Sequence, residues 1–243
     1  MSSSAVSVVN NVQYMIKNKD DLIQKTLLHG QQWNDHIISI LKDLITQRKL
    51  THFVNVGAHI GTVSIPVSKV VSKVTAVEPY PPSFEHLNAN IQLNEITNIR
   101  TFNCAFGNST EPVYFMNPNL PRVKYNSGGM HVFTSHDISN KIRSSELSDG
   151  SISSNIMKMD DTDINEFDIM LVDIEGCEYD FLLGAKKKLL QYKPIIIIEI
   201  WNDTKRRHEN MNTSQQSVLD LLSSFGYNCR SIQNSDDFLC IAT

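Results

Sequence analysis

The sequence is short of the features that most directly announce a function. Its 243 residues hold four cysteines, Cys104, Cys177, Cys229 and Cys240, with neither a close pair nor a metal-ligand rhythm. That excludes a C-x-x-C zinc module, and free thiols in a reducing compartment are the expectation. Excess positive charge is also missing: the formal net charge is −4, so no global basic field gathers nucleic acid or anionic lipid. The two local clusters, Lys186-Lys187-Lys188 and Lys205-Arg206-Arg207-His208, read as solvated surface. Long apolar runs are absent as well. Even the isoleucine run from Ile195 to Ile198 is four residues, against the roughly 20 that a membrane-spanning helix needs. The first twenty residues carry no apolar core of signal-peptide length, and a cytoplasmic location is expected.

Two phosphate-binding loops are missing too. No G-x-x-x-x-G-K-[ST] run occurs, which excludes a P-loop hydrolase. The dinucleotide pattern G-x-G-x-x-G fails in both registers of "FVNVGAHIG". Aligned on Gly61, it puts Val56 and Ala58 where glycines belong; aligned on Gly57, it puts His59 in the middle and Thr62 at the end. The middle glycine lets a pyrophosphate approach the backbone, and the His59 side chain obstructs one.

What is present is a regular alternation of strands and helices. Asp21 to Lys49 carries apolar residues at helical spacing, divided by Gly30, so residues 1–50 read as a helical extension packed on the core. The pattern predicts strands over His52 to Val56, "KVTAVE", Ile99 to Ala105, "FDIMLVDIE" and "PIIIIEI", with helices between them. Two strands without a helix between them, "YNCRSI" and "DFLCIA", close the chain. This order predicts one α/β domain over residues 51–243: a doubly wound, mostly parallel sheet with a C-terminal antiparallel hairpin. From 117 to 150 periodicity fails, as expected of a lid or substrate insert.

In such sheets ligands bind beyond the carboxyl ends of the strands. Gly57 and Gly61 form a strand-to-helix turn, and Glu78 closes the next strand 21 residues beyond Gly57. An acid there is placed to accept hydrogen bonds from ribose hydroxyls. A nucleoside cofactor without a diphosphate, S-adenosyl-L-methionine, fits this turn. At the end of "FDIMLVDIE", Asp173, Glu175 and Glu178 crowd around Gly176. Three carboxylates there repel unless they share a cation, protons or a donor ligand.

Together "NVGAHIG", "VEPYPPSFEHLNANIQLN", "NCAFGN", "MDD" and "VDIEGCEYDFLLGA" resemble, in order and spacing, the blocks of FkbM-type S-adenosylmethionine-dependent methyltransferases. The resemblance implies a seven-stranded class I (Rossmann-like) methyltransferase sheet and O-methylation of a sugar, glycan or natural-product hydroxyl. It implies that Asn55, Gly57, His59 and Gly61 surround the methionine part of the cofactor. Glu78 would hold the ribose, Cys104 and Ala105 would border the adenine, and Asp173 would lie by the amino group and the reaction centre. The family's first motif usually begins with Asp, and commonly has Asn where His59 stands; Asn55 keeps a hydrogen-bonding group but not the charge.

Deprotonating a hydroxyl acceptor calls for a base or a metal. Asp173, Glu175 and Glu199 are the base candidates, with His131 and His136 as loop alternatives. By analogy with catechol-type enzymes, Asp173, Glu199 and Asn202 are a candidate Mg²⁺ set. Trp201, Tyr80 and Tyr125 are candidates for an apolar wall, and Glu178 and Asp160-Asp161 for caps or substrate contacts. Two other readings are a catalytically inactive, methyltransferase-fold binding subunit and a cap-type ribose O-methyltransferase. Residues 1–50 are placed either to cover the site or to make a homodimer.

Overall fold

The computed structural model describes residues 5–115, 132–133, 153–209, 211–233 and 235–243. His131, His136, Tyr125 and all but two residues of the expected 117–150 insert lie outside them.

The chain begins with a hairpin, not a helix. β1 (Ala5–Val9) and β2 (Val12–Ile16) pair antiparallel. Their two-residue turn, Asn10-Asn11, has φ of 49° and 61° at its centre, the left-handed angles that a hairpin twist favours and asparagine tolerates. The alternation of "AVSVV" and "VQYMI" about that asparagine pair was the available signal. Helical structure starts only at α1 (Leu22–Leu28), capped by the Asp21 carboxylate on the Gln24 N–H (3.0 Å), and α2 (Asp35–Arg48).

The central sheet holds β3 (His52–Val56), β4 (Lys73–Val77), β5 (Ile99–Phe102), β10 (Ile169–Val172), β11 (Ile195–Glu199), β12 (Tyr227–Ser231) and β13 (Asp237–Ala242). Their order is β12-β13-β11-β10-β3-β4-β5. The five strands from β11 to β5 are parallel, and β13 joins antiparallel to both β11 and β12. This is the expected sheet and hairpin.

Alternate residues of the strands feed opposite layers. Ile195 and Ile197 pack with Phe53 and Leu171 against Ile37, Leu41 and Ile45 of α2. Ile196 and Ile198 pack with Val54 and Met170 against the other layer. That layer contains α5 (Glu178–Gly184), α6 (Lys186–Tyr192) and α8 (Gln215–Ser224), which contribute Phe181, Leu189 and Leu222. Each fully buried branched side chain contributes about 1.5–3 kcal/mol, so a strand buried on both faces needs the unbroken apolar run seen in "PIIIIEI". The helices α3 (Ser64–Ser68) and α4 (Pro81–Leu93) follow β3 and β4, and α7 (Asp203–His208) follows β11. A second sheet, which the periodicity does not reveal, has the order β6-β9-β7-β8: β6 (Ala105–Phe106), β7 (Glu111–Phe115), β8 (Val132–Phe133) and β9 (Ser153–Met157).

Three surface and redox expectations are corrected. Cys229 and Cys240, direct partners across β12 and β13, form a disulfide, in which Cys104 and Cys177 take no part. A reducing compartment can therefore not be inferred from four free thiols. Lys188 is buried, its Nζ donating to the Thr162 and Ile164 carbonyls and to Asn165 Oδ1. Arg206, in the second basic cluster, is 1% exposed. Among the described residues no helix is long and apolar enough to cross a membrane.

Candidate active site

The carboxyl ends of β3, β4, β10 and β11 open onto one cavity of about 390 Å³. The strand-end residues singled out in the sequence converge there: Asn55, Gly57, His59, Glu78, Cys104 and Ala105 line it together with Asp173, Glu175 and Glu199. Gly61 supports the turn without lining the cavity; Leu87 and Ile65 close in where a Cβ would stand.

Backbone crowding fixes the turn after β3. Gly57 has φ +88°, and a Cβ there would overlap the Asp173 carbonyl at the end of β10. Only glycine allows both that angle and that approach. The Gly57 and Ala58 N–H groups both donate to the Val77 carbonyl (2.9 Å each), which locks the turn onto β4. His59 follows with φ 48°. Its backbone N–H donates to Glu78 Oε2 (2.8 Å), and the Tyr80 N–H donates to Oε1 (2.9 Å). Burial nevertheless wins over these two bonds and pushes the Glu78 carboxyl up to about 7. Burial also pushes the His59 imidazole down to about 4, so it is neutral at physiological pH.

Asn55 is 1% exposed. Its Nδ2 donates to Ser64 Oγ (2.8 Å), while Oδ1 has no partner among the described residues. A buried amide oxygen without a donor costs about 1–3 kcal/mol, and a ligand ammonium in the cavity would satisfy it.

The acidic end is tighter still. Asp173, Glu175 and Glu199 place one carboxylate oxygen each within 4.8 Å of the others. Burial, then the Glu199 and Glu175 charges, hold the Asp173 carboxyl well above its ordinary range. Burial first and Glu199 second push Glu175 up to about 7, and the Lys205 charge opposes them. Glu175 sits at φ 54° and Gly176 at φ 99°, a left-handed pair that turns the chain at the cavity. Glu178 holds this turn: its Oε1 accepts from the Gly176 N–H (2.6 Å), and its Oε2 from Arg206 Nη1 (3.0 Å). Arg206 also donates from Nε to the Thr213 carbonyl (2.8 Å) and from Nη2 to Thr213 Oγ1. Glu178 is thus the partner of a buried ion pair; this is why one member of "KRRH" lies inside.

Several candidates are placed elsewhere. Asn202 Oδ1 caps α7, accepting from Thr204 and Lys205 N–H (3.1 Å each); Glu175 stands with Asp173 and Glu199. Asp160 accepts from the Lys187 and Lys188 N–H groups (3.0 Å each), anchoring the start of α6. Tyr80 is buried against Phe115, with ring centroids 5.1 Å apart. Trp201 is buried too: its Nε1 donates to Glu199 Oε2 (3.2 Å), and Lys205 Nζ lies 3.6 Å from its ring centroid. Neither is an open wall. The cavity is instead lined by Ile23, Trp33 and Asn34 from before β3, and by Lys205 and Asp237. Nothing in their local sequence marked these residues, because none of them stands at the carboxyl end of a parallel strand.

The sequence matches the methyltransferase FkbM domain over residues 55–229, well over half of the chain. No curated protein matches it. Among solved structures, an FkbM methyltransferase from Methylobacillus flagellatus KT superposes with a TM-score of 0.50 at 16% identity. That alignment covers 79% of this chain and 43% of that one, so this chain spans less than half of that protein's length. A nominal caffeoyl-CoA O-methyltransferase from Staphylococcus aureus gives a TM-score of 0.50 at 12% identity, covering 86% of this chain and 83% of that one. At these identities the shared property is the class I methyltransferase fold.

Proposed function

The chain belongs to the FkbM family of S-adenosylmethionine-dependent methyltransferases, and from that premise we propose that it methylates a hydroxyl oxygen of a sugar, glycan or small natural product. The observation that carries this reading is the joining, in one cavity, of a nucleoside-type strand-end site to three clustered carboxylates. When bound, S-adenosylmethionine supplies an electrophilic sulfonium methyl.

The residues present fit it. Asn55 would accept a hydrogen bond from the cofactor's ammonium through its partnerless Oδ1. Glu78 would accept from the ribose hydroxyls with the lone pairs left over from the His59 and Tyr80 N–H groups. Cys104 and Ala105, following β5, would border the adenine. Glu175, pushed to about 7, is poised to take the acceptor's proton near neutral pH, where a base works best. Asp173, held well above its ordinary range by burial and by the Glu199 and Glu175 charges, would orient the acceptor beside Glu199. Trp201 holds Glu199 in place through its Nε1 bond.

A second reading is favoured by the 4.8 Å cluster itself: Asp173, Glu175 and Glu199 are hard oxygen donors that could hold Mg²⁺. A methyl-transfer screen over glycosides and small hydroxylated compounds, with and without EDTA, tests both readings. Transfer that survives chelation supports the carboxylate base. Transfer lost on chelation and restored by Mg²⁺ supports the metal. Labelled methyl arriving on nitrogen or carbon only would refute O-methylation.

A further inference from the structure

The matched family domain begins at residue 55, yet Ile23, Trp33 and Asn34 line the cavity. They belong to an N-terminal unit, the β1–β2 hairpin with α1 and α2, that is fastened to the domain by specific polar bonds. Asn90 Oδ1 and Asn94 Oδ1 accept from the Met15 and Gln13 N–H groups (2.8 Å each), Asn94 Nδ2 donates to the Gln13 carbonyl (2.7 Å), and His86 Nε2 lies 2.7 Å from the Met15 carbonyl. The α4 helix thus presents His86, Asn90 and Asn94, spaced four apart on one face, to the edge of β2.

Residues 33 and 34 lie between two further anchors. On one side Gln32 Nε2 donates to the Thr62 carbonyl (3.0 Å). On the other, His36 Nε2 stands 3.8 Å from Asp237 Oδ2, and Asp237 is the cross-strand partner of Glu199. This places them between the turn after β3 and the first residue of β13, whose cross-strand partner Glu199 lines the same cavity. The end bearing Glu78, Cys104 and Ala105 follows β4 and β5, on the far side of β3 in the sheet. Trp33 is half-buried, backed by the cluster of Ile60, Ile65 and the hairpin. Asn34 starts α2 at φ 54° and its side chain makes no capping bond, so its amide is not spent on the helix.

We infer that the N-terminal unit, not the family domain, completes the acceptor subsite. Trp33 provides the platform for a hydroxylated ring, and Asn34 a hydrogen-bonding amide, opposite Asp173, Glu175 and Glu199. The inference rests on the methyl-transfer reading above. An indole face suits the C–H face of a sugar or the face of a phenol, and carboxylates across the cavity accept the ring's hydroxyls. Trp33 and Asn34 are then specificity-determining residues contributed from outside residues 55–229.

The sequence has two tryptophans, Trp33 and buried Trp201, which makes 5-fluorotryptophan NMR a direct test. The Trp33→Phe variant assigns the two fluorine resonances. In the full chain saturated with S-adenosylhomocysteine, the Trp33 resonance should keep its H₂O/D₂O solvent shift, because the product covers the other end of the cavity. Adding methyl β-D-glucopyranoside or catechol at about 50 mM should then move the Trp33 resonance; which of them does so identifies the ring. Trp33→Ala should leave S-adenosylhomocysteine affinity within about threefold while lowering kcat/KM for a methylated acceptor about tenfold through KM. Trp33→Phe should restore most of that loss. The inference is overturned if the product abolishes the solvent shift, if Trp33→Ala weakens product binding about tenfold, or if neither ring compound moves the resonance. Failure of the wild-type chain to bind S-adenosylhomocysteine by calorimetry would instead remove the parent reading.

Discussion

Glu78 should make cofactor affinity depend on pH near neutrality. Its carboxyl is raised from an ordinary 4.5 to about 7, chiefly because burial disfavours the charge, with the Tyr80 and His59 N–H bonds opposing. At about 1.4 kcal/mol per pH unit this is about 3 kcal/mol. Since the folded value lies above the unfolded one, the stability it contributes is complete below pH 4.5 and is lost as pH rises through about 7. The ligand-free chain should therefore weaken by about 3 kcal/mol across that window from this residue. Ribose hydroxyls donate to the ionised form, so ligand binding should show the reverse trend. At pH 6 only about one-tenth of Glu78 is ionised, and S-adenosylhomocysteine should bind about tenfold more weakly than at pH 8. Glu175 is raised similarly, so the Glu78→Gln variant is needed to isolate the contribution. Calorimetry at pH 6, 7 and 8, in buffers of different ionisation enthalpy, should show proton release in the wild type and less in the variant. Identical pH profiles for the two proteins, or a flat wild-type profile, would refute the assignment of Glu78 to the ribose.

Arg206→Met should destabilise the fold by about 3–5 kcal/mol, because it leaves the buried Glu178 carboxylate without its cation; urea unfolding measures this, and a loss below about 1 kcal/mol would contradict the buried pair. Gly57→Ala should abolish S-adenosylhomocysteine binding and lower Tm, since the new Cβ overlaps the Asp173 carbonyl; wild-type affinity in the variant would show that the two turns can separate. Asn55→Asp should tighten S-adenosylhomocysteine binding about fivefold, as the acceptor facing the ammonium becomes charged. Weaker or unchanged affinity in calorimetry would place the ammonium elsewhere.

The parallel core was legible because its strands are buried on both faces. "PIIIIEI" and "FDIMLVDIE" must be continuously apolar, and such runs can be read without knowing their neighbours. The strand-end residues followed, since topology alone puts Asn55, Glu78, Asp173 and Glu199 at the carboxyl edge. The N-terminal hairpin was missed for the opposite reason. Val6 and Val8 of β1 are 50% and 62% exposed, so half of the strand's apolar signal serves no core. Its partner β2 is held along its edge by Asn90 and Asn94, 75 and 81 residues further along the chain.

By itself, then, the sequence determined the periodic elements of the sheet, the glycine turn at Gly57, and the position of the acid Glu78 at the carboxyl end of β4. These depend on local angles and on period-two burial, which neighbouring residues specify. Only the tertiary structure decided that Arg206 and Lys188 go inside, that Cys229 meets Cys240, that Glu175 joins Asp173 and Glu199, and that Trp33 lines the cavity. Each of these is a meeting of groups distant in the chain or hidden by a loop. Burial of a charge is set by whether a partner arrives across space, as Glu178 does for Arg206, and no local pattern records that arrival.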